Sequence, residues 1–460
     1  MGLGILLKQL APLIIYLIGL GAAFLAVTGK PKWALLVVTV LLPLRNVVDR
    51  LHSLPLGTQF IDLLIASMLV GWCINSFSKG KKFNEHALVT IPAIIMIIYL
   101  TVSILRGGYY LYGGFSIDAS DQRVQDWKNF CMLPMLFWIT LNIIDSKKWV
   151  IYIFATMCIT MVVMGYYSVN QVLWYSSLES RAKITSTFQF LGPNEVAAFL
   201  NQMTVILMGV YFYIKHKRNK MLLLGLILLN MFCIVFMYSR GAYAAFGVGM
   251  FILFILKNQK LLIPLILAVM FWQVVLPEKA VERIKETKGK HGQLDESSQR
   301  RVAIWDQALD IFSRNPVFGI GYGVFRHLGL DLGDTHNIYV KILVEQGVLG
   351  MGCFLLVIFS LMAMGFILYQ KGDDEFAKGL GLGFAVCMVV LLINNIFGDR
   401  WTYFELSAYL WLMAGLVGRS IVIAKNPEPV VKKAAPIVEK IAVAKPPEPK
   451  LKKKIRYYDL

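Results

Sequence analysis

Residues 349–369 read LGMGCFLLVIFSLMAMGFILY, twenty-one positions without a charged side chain. About 20 apolar residues in a helix match the roughly 30 Å hydrocarbon core of a bilayer. Inside lipid, each backbone N–H and C=O has to find its partner within the chain, which a helix achieves locally. The same texture recurs outward from this stretch, at about 10–28, 33–48, 59–77, 86–105, 128–144, 149–172, 193–214, 221–238, 241–256, 261–276, 378–397 and 404–422. The whole chain is 57% hydrophobic and 16% charged, whereas soluble domains run at about 45–50% apolar and about 25% charged. The pattern predicts an all-α polytopic membrane protein and excludes a cytosolic globular enzyme.

Charge orients the spans. The net charge of +18 comes from 46 basic and 28 acidic residues. The basic ones gather in the short loops Lys79–Lys82, Lys147–Lys148, Lys215–Lys220, Lys257–Lys260 and Lys371–Lys378, and in the tail. Strict alternation puts all of these on one side, which the positive-inside rule makes cytoplasmic, facing anionic membrane lipid. Residues 106–126, 173–192, 277–335 and 398–403 then face the opposite side. Thirteen spans place the N-terminus outside; twelve place it inside, if 10–28 or 33–48 does not cross. Four parts follow: 1–276 and 349–424 as transmembrane helices, 277–348 as a large external segment, and 425–460 as a basic, proline-rich cytoplasmic tail expected to be disordered. No nucleic acid partner is expected, since lipid-facing loops account for the basic balance. The six cysteines lie in or at the ends of apolar segments without CxxC spacing, so neither disulfides nor a metal cluster are expected.

The external segment 277–335 concentrates the chemistry. Ser297 and Ser298 are expected to cap a helix over about 299–313. Along it Val302, Trp305, Leu309 and Phe312 recur at steps of three and four as one apolar stripe. Arg301 stands four residues before Trp305, at the edge of that face. Arg300 points about 100° away, so Arg301 is the one of the pair expected to turn inward, from a helix lying on the membrane surface. After Pro316, the glycines 319, 321 and 323 suit a turn with close backbone approach. Their spacing, with no Lys-Ser/Thr following, excludes a nucleotide phosphate loop. Asp334 or Thr335 is expected to cap a short helix over 336–346, broken by Gly347 and Gly350. His336 in its first turn would feel the positive end of the helix dipole, which favours the neutral imidazole that a general base requires.

Arg181 precedes Phe190-Leu191-Gly192-Pro193-Asn194, and Arg240 lies in Tyr238-Ser239-Arg240-Gly241; both fall on the external side. A charge so near hydrocarbon marks a functional site unless a carboxylate explains it, and Glu179, Glu195 and Glu345 are the available partners. Several planar guanidiniums suit a diphosphate, which they bind bidentately, and a neutral imidazole can take the proton of an acceptor hydroxyl. Apart from Asp331 and Asp334 no external carboxylate pair is placed for Mg²⁺, so arginines rather than a metal or cofactor are expected to stabilise the leaving diphosphate. Gly107–Phe115, GGYYLYGGF, reads as an interfacial aromatic belt or as a sugar-stacking platform. The combination suits glycosyl transfer from a lipid diphosphate. A solute or anion transporter is the reading of another class; against it stand the missing repeats and the lack of ionisable residues at mid-span depth.

At these residues the sequence resembles the O-antigen ligase and O-antigen polymerase superfamily. The resemblance rests on Arg301-x-x-x-Trp305, on 315–323 (NPVFGIGYG), on 335–339 (THNIY) and on 345–350 (EQGVLG), with Ser239-Arg240-Gly241 and Gly192-Pro193-Asn194 similar to earlier motifs. It implies a membrane-embedded glycosyltransferase of the GT-C type, with about twelve spans and both termini inside. The implied donor is a glycan on undecaprenyl diphosphate, transferred without metal and with inversion to a lipid A-core sugar hydroxyl; a polymerase would use another lipid-linked repeat as acceptor. The implied location is a bacterial inner membrane with a periplasmic site. The resemblance places the essential histidine on His336 and the essential arginines on Arg181 and Arg301; Arg240, Asn194, Asn337 and Arg300 are expected substrate contacts.

Overall fold

Among the residues described, 2–78, 85–114, 118, 120–175, 177–286, 295–329 and 334–425, every regular element of the computed structural model is helical. Lipid imposes this, because an open strand edge would leave polar backbone unsatisfied. Ten of these helices are long and apolar enough to cross a membrane, the longest being Ile338–Lys371. The other three expected spans are different in kind. Gln122–Ile143 has the length but carries Arg123, Asp126 and Lys128 in its first turns. The apolar helix Gln259–Met270 is short.

Lys32–Leu41 is shorter still, at 10 residues, or about 15 Å at a rise near 1.5 Å per residue. Pro43 stops it, and the chain continues through short turns to Gln59. The segment nevertheless runs from one end of the bundle to the other. Lys32 pairs with Asp145 at 2.6 Å at its start, while the Asn46 N–H donates to the Thr187 carbonyl at 3.0 Å near its finish.

The basic loops meet at one end, as alternation requires. Lys147 pairs with Asp373 and Asp374 at 3.0 and 2.5 Å, Lys215 pairs with Glu375, and the Lys257 ammonium lies 3.6 Å from the centre of the Tyr213 ring. Lys79–Lys82 and the tail from 426 fall outside the described residues. Up to Lys425 the chain forms one compact unit. Its centre is Pro193–Tyr213 against Glu375–Asn394. A methyl added at Gly209 would stand 2.5 Å from the Gly383 Cα, so small residues let two backbones touch, the usual route to helix association in lipid.

At the other end, residues 296–329 and 334–346 form a cap over the bundle. The helix Glu296–Arg314 is capped by Asp295, whose carboxylate accepts from the Ser298 N–H at 3.0 Å, and not by Ser297 or Ser298. Its buried ridge is Ile304 and Ala308, with Ile311 and Phe312 packed alongside. Val302 and Leu309 are 41% and 44% exposed; the apolar stripe is therefore rotated from the expected one.

The glycine loop binds this cap to the bundle. Gly321 has φ +114° and faces Gly107, whose Cα a methyl would meet at 2.2 Å, which explains two glycines in one stroke. The N–H groups of Ile320 and Gly321 donate to the Val344 and Glu345 carbonyls at 2.9 and 2.8 Å, and the Tyr99 hydroxyl donates to the Gln346 carbonyl. These are the orphan acceptors of a helix end, made available because Gly347, at φ +67°, interrupts Ile338–Lys371 there.

Candidate active site

A cavity of about 480 Å³ lies at the end of the bundle opposite the basic loops. Pro193 at the first helical position sets Asn194 in the opening turn of its helix. Tyr238, in the left-handed region at φ +49°, turns the chain sharply so that Arg240 begins the next helix. Ser298, Arg301, Val302 and Trp305 present one face of Glu296–Arg314 to the cavity, at helical steps of three and four. Arg400 arrives from the turn before Phe404–Lys425.

Five guanidiniums line this space, those of Arg181, Arg240, Arg283, Arg301 and Arg400, and among the described residues no carboxylate does. Three of the five are paired from behind: Arg240 with Asp295, Arg400 with Glu195 and Arg283 with Glu286, each at 2.8 Å. Burial alone would raise the Asp295 carboxyl, but hydrogen bonds from Ser298 and Arg240 outweigh it and hold it below the usual carboxylate range. Among the described residues Arg181 has neutral hydrogen-bond partners, donating from Nε to the Met237 carbonyl at 2.7 Å and from Nη2 to the Asn194 Oδ1 at 2.6 Å. Among the described residues Arg301 makes no hydrogen bond or ion pair. Burial, and then the charge of Arg283, lowers Arg181 to about 10. Burial, with Arg240 and Arg400 close by, lowers Arg301 as well. At about 10, Arg181 stays cationic near neutral pH, and the cluster of guanidiniums favours a multiply charged anion.

The cavity thus gathers Arg181, Arg240, Arg301 and Asn194 from distant parts of the chain. Three other expected contacts stand outside its lining. Arg300 is exposed, on another side of its helix. Asn337 spends its side-chain oxygen as the N-cap of Ile338–Lys371, accepting from the Tyr339 and Val340 N–H groups at 2.9 and 3.3 Å. His336 therefore precedes the cap instead of occupying the first turn. It is exposed, at φ +50°, and the dipole argument loses its geometry because asparagine outcompetes Asp334 and Thr335 for the capping position. His336 is one residue from the cavity wall all the same: the Thr335 carbonyl accepts from the indole N–H of the lining Trp305 at 2.9 Å.

Sequence reasoning passed over Arg283, Arg400, Tyr238 and Tyr243, which also line the cavity. Arg400 was within reach of the rule that singled out Arg240, a cation on the external side close to hydrocarbon. Of the carboxylates available as partners, Glu195 pairs with Arg400, and Glu345 accepts from the Phe325 N–H at 3.3 Å.

Comparison with curated proteins gives no match. Residues 224–355 match the family model described as O-antigen ligase. The matched stretch carries Arg240, Arg283, Arg301 and His336, while Arg181, Asn194 and Arg400 enter the same cavity from outside it. With its ten apolar helices the chain is a polytopic membrane protein, and its residues 224–355 are similar to the O-antigen ligase family, whose members are membrane glycosyltransferase-like enzymes of the ligase or polymerase kind.

Proposed function

We propose that the chain is a glycosyltransferase of the bacterial inner membrane that moves a glycan from undecaprenyl diphosphate to a lipid A-core sugar hydroxyl, at a periplasmic site. The observation carrying this reading is the cavity that, among the described residues, is lined by five guanidiniums and no carboxylate, two of the five lacking an acidic partner. That arrangement suits a diphosphate, whose charge grows as it leaves. Arg181, held in place by Asn194, and Arg301 take the diphosphate oxygens, and Arg240 adds field from its place beside Asp295.

In the transfer, the acceptor oxygen attacks the anomeric carbon from the side opposite the diphosphate. The bond from that carbon to the diphosphate oxygen breaks with its electron pair, so the configuration inverts. His336 takes the acceptor proton, reaching over the Trp305 side of the cavity, and undecaprenyl diphosphate departs.

The test is transfer by purified protein in liposomes, supplied with lipid-linked donor and with lipid A-core and a second lipid-linked oligosaccharide as competing acceptors. Release of undecaprenyl diphosphate with the glycan on lipid A-core supports the ligase. Glycan on the second oligosaccharide makes the chain a polymerase instead, and no release under any condition removes the transferase reading and leaves an anion transporter.

A further inference from the structure

A second cavity, of about 330 Å³, opens at the same end of the bundle and shares no lining residue with the arginine cavity. The turn 399–403 serves both, with Arg400 lining one and Thr402 and Tyr403 lining the other. Their electrostatics differ. In the second cavity Arg45, Arg326 and Lys341 are matched by Asp126, Glu345 and Glu405. Its cations are already engaged: Arg326 with Asp126 at 2.9 Å, Lys341 with Asp399 at 2.8 Å, and Arg45 with Asp49 at 2.7 Å. No surplus charge is left to attract a phosphate.

What remains unengaged is hydrogen-bonding capacity. Glu345 is 1% exposed, and its Oε2 has no hydrogen-bond partner, a condition that buried carboxylate oxygens rarely sustain. The Asn129 amide at the wall makes no hydrogen bond among the described residues. Aromatic rings complete the enclosure, with Tyr322, Tyr403 and Phe404 inside and Phe190 59% exposed at its edge. Free acceptors, an amide and ring faces in a net-neutral pocket fit a ligand with hydroxyls at its rim and an apolar face. The volume lies near the low end of the about 300–1,000 Å³ usual for small-molecule sites, which admits a sugar unit rather than a chain.

We propose that this second cavity is a saccharide subsite, in which a neutral sugar of the glycan donates hydroxyls to Glu345 and Asn129 and lays its apolar face on Phe190 and Tyr403. The assignment rests on the transferase reading and names where a substrate sugar sits, on the donor or on the acceptor.

The test uses full-length Asn129→Ala and Phe190→Ala, neither of which is in the buried core, in the liposome transfer assay. Each variant should raise KM about tenfold for one glycan substrate, as loss of one net hydrogen bond or ring contact implies, with affinity for sugar-free undecaprenyl diphosphate unchanged. A raised donor KM assigns the donor sugar, and a raised acceptor KM assigns the acceptor. Unchanged KM values for both, or a fall in kcat alone, overturn the subsite. A second arm measures binding of the free oligosaccharide released by mild acid from the cell's own lipid-linked donor or acceptor. Binding by the wild type that both variants weaken supports the subsite even where no transfer occurs; equal binding by all three, or none by the wild type, overturns it. Failure of transfer in the wild type alone counts against the transferase reading and not against this cavity.

Discussion

Arg181 and Arg301 differ from their neighbours in lacking a carboxylate partner among the described residues, and that difference makes them separately testable. Arg301→Lys keeps the charge but exchanges a planar fork for a point charge; under the proposed mechanism it should lose at least about nine-tenths of transfer, read as released undecaprenyl diphosphate, and wild-type turnover in the lysine variant would sink the clamp. His336→Ala should abolish transfer while undecaprenyl diphosphate still binds, and residual turnover near the wild-type rate would end its role as base. For Arg181 the sign of the pH effect follows from its lowered value of about 10: the guanidinium is charged below that pH and loses its proton as pH rises through it. Affinity for undecaprenyl diphosphate should therefore be flat across neutral pH on account of this group and fall on approaching pH 10, with Arg181→Lys changing that alkaline limb. The sequence marked Arg181, Arg240 and Arg301 because a topology of alternating spans places all three on one side. It could not fix where His336 stands relative to the helix start, since Asp334, Thr335 and Asn337 can each cap a helix and the folded chain uses Asn337.

Among the elements, Ile338–Lys371 shows how one residue controls a junction. Gly347 sits at φ +67°, and a methyl there would lie 2.3 Å from the Val317 carbonyl oxygen, while the following N–H of Val348 donates to the Pro316 carbonyl at 2.9 Å. Gly347→Ala should reduce the yield of folded protein sharply, whereas Gly352→Ala, with open space around it, should be neutral or slightly stabilising because alanine prefers the helix by up to about 1 kcal/mol. The check is monodisperse yield and thermal stability in detergent; equal behaviour of the two variants would show that the interruption is not required. The break at 347 was readable from the glycines alone. The buried face of Glu296–Arg314 was not: Val302 and Leu309 fit an apolar stripe as well as Ile304 and Ala308 do, and which ridge is buried depends on Ile320, Val324 and Val344, residues up to forty positions away.

For the molecule as a whole, orientation across the membrane is the property to test. Single cysteines at exposed Asn219, among the basic loops, and at exposed Ser177, at the other end, should react differently with a membrane-impermeant thiol reagent in spheroplasts, on a background without the six native cysteines. Label at Ser177→Cys and protection at Asn219→Cys is the expected result, and the reverse would put the arginine cavity on the cytoplasmic face. Hydropathy and charge by themselves determined that the chain is helical, that it lies in lipid, and which loops share an end, because water excludes long apolar runs and those preferences are local to each segment. They left the number of spans open, since an apolar run such as 33–48 carries no mark of how far its helix continues. The arginine cavity, the pairing of Arg240 and Arg400 with Asp295 and Glu195, and the second, charge-balanced cavity were settled only by tertiary packing. Those features depend on distances between side chains far apart in the chain, and the energy that sets such distances arises when helices touch.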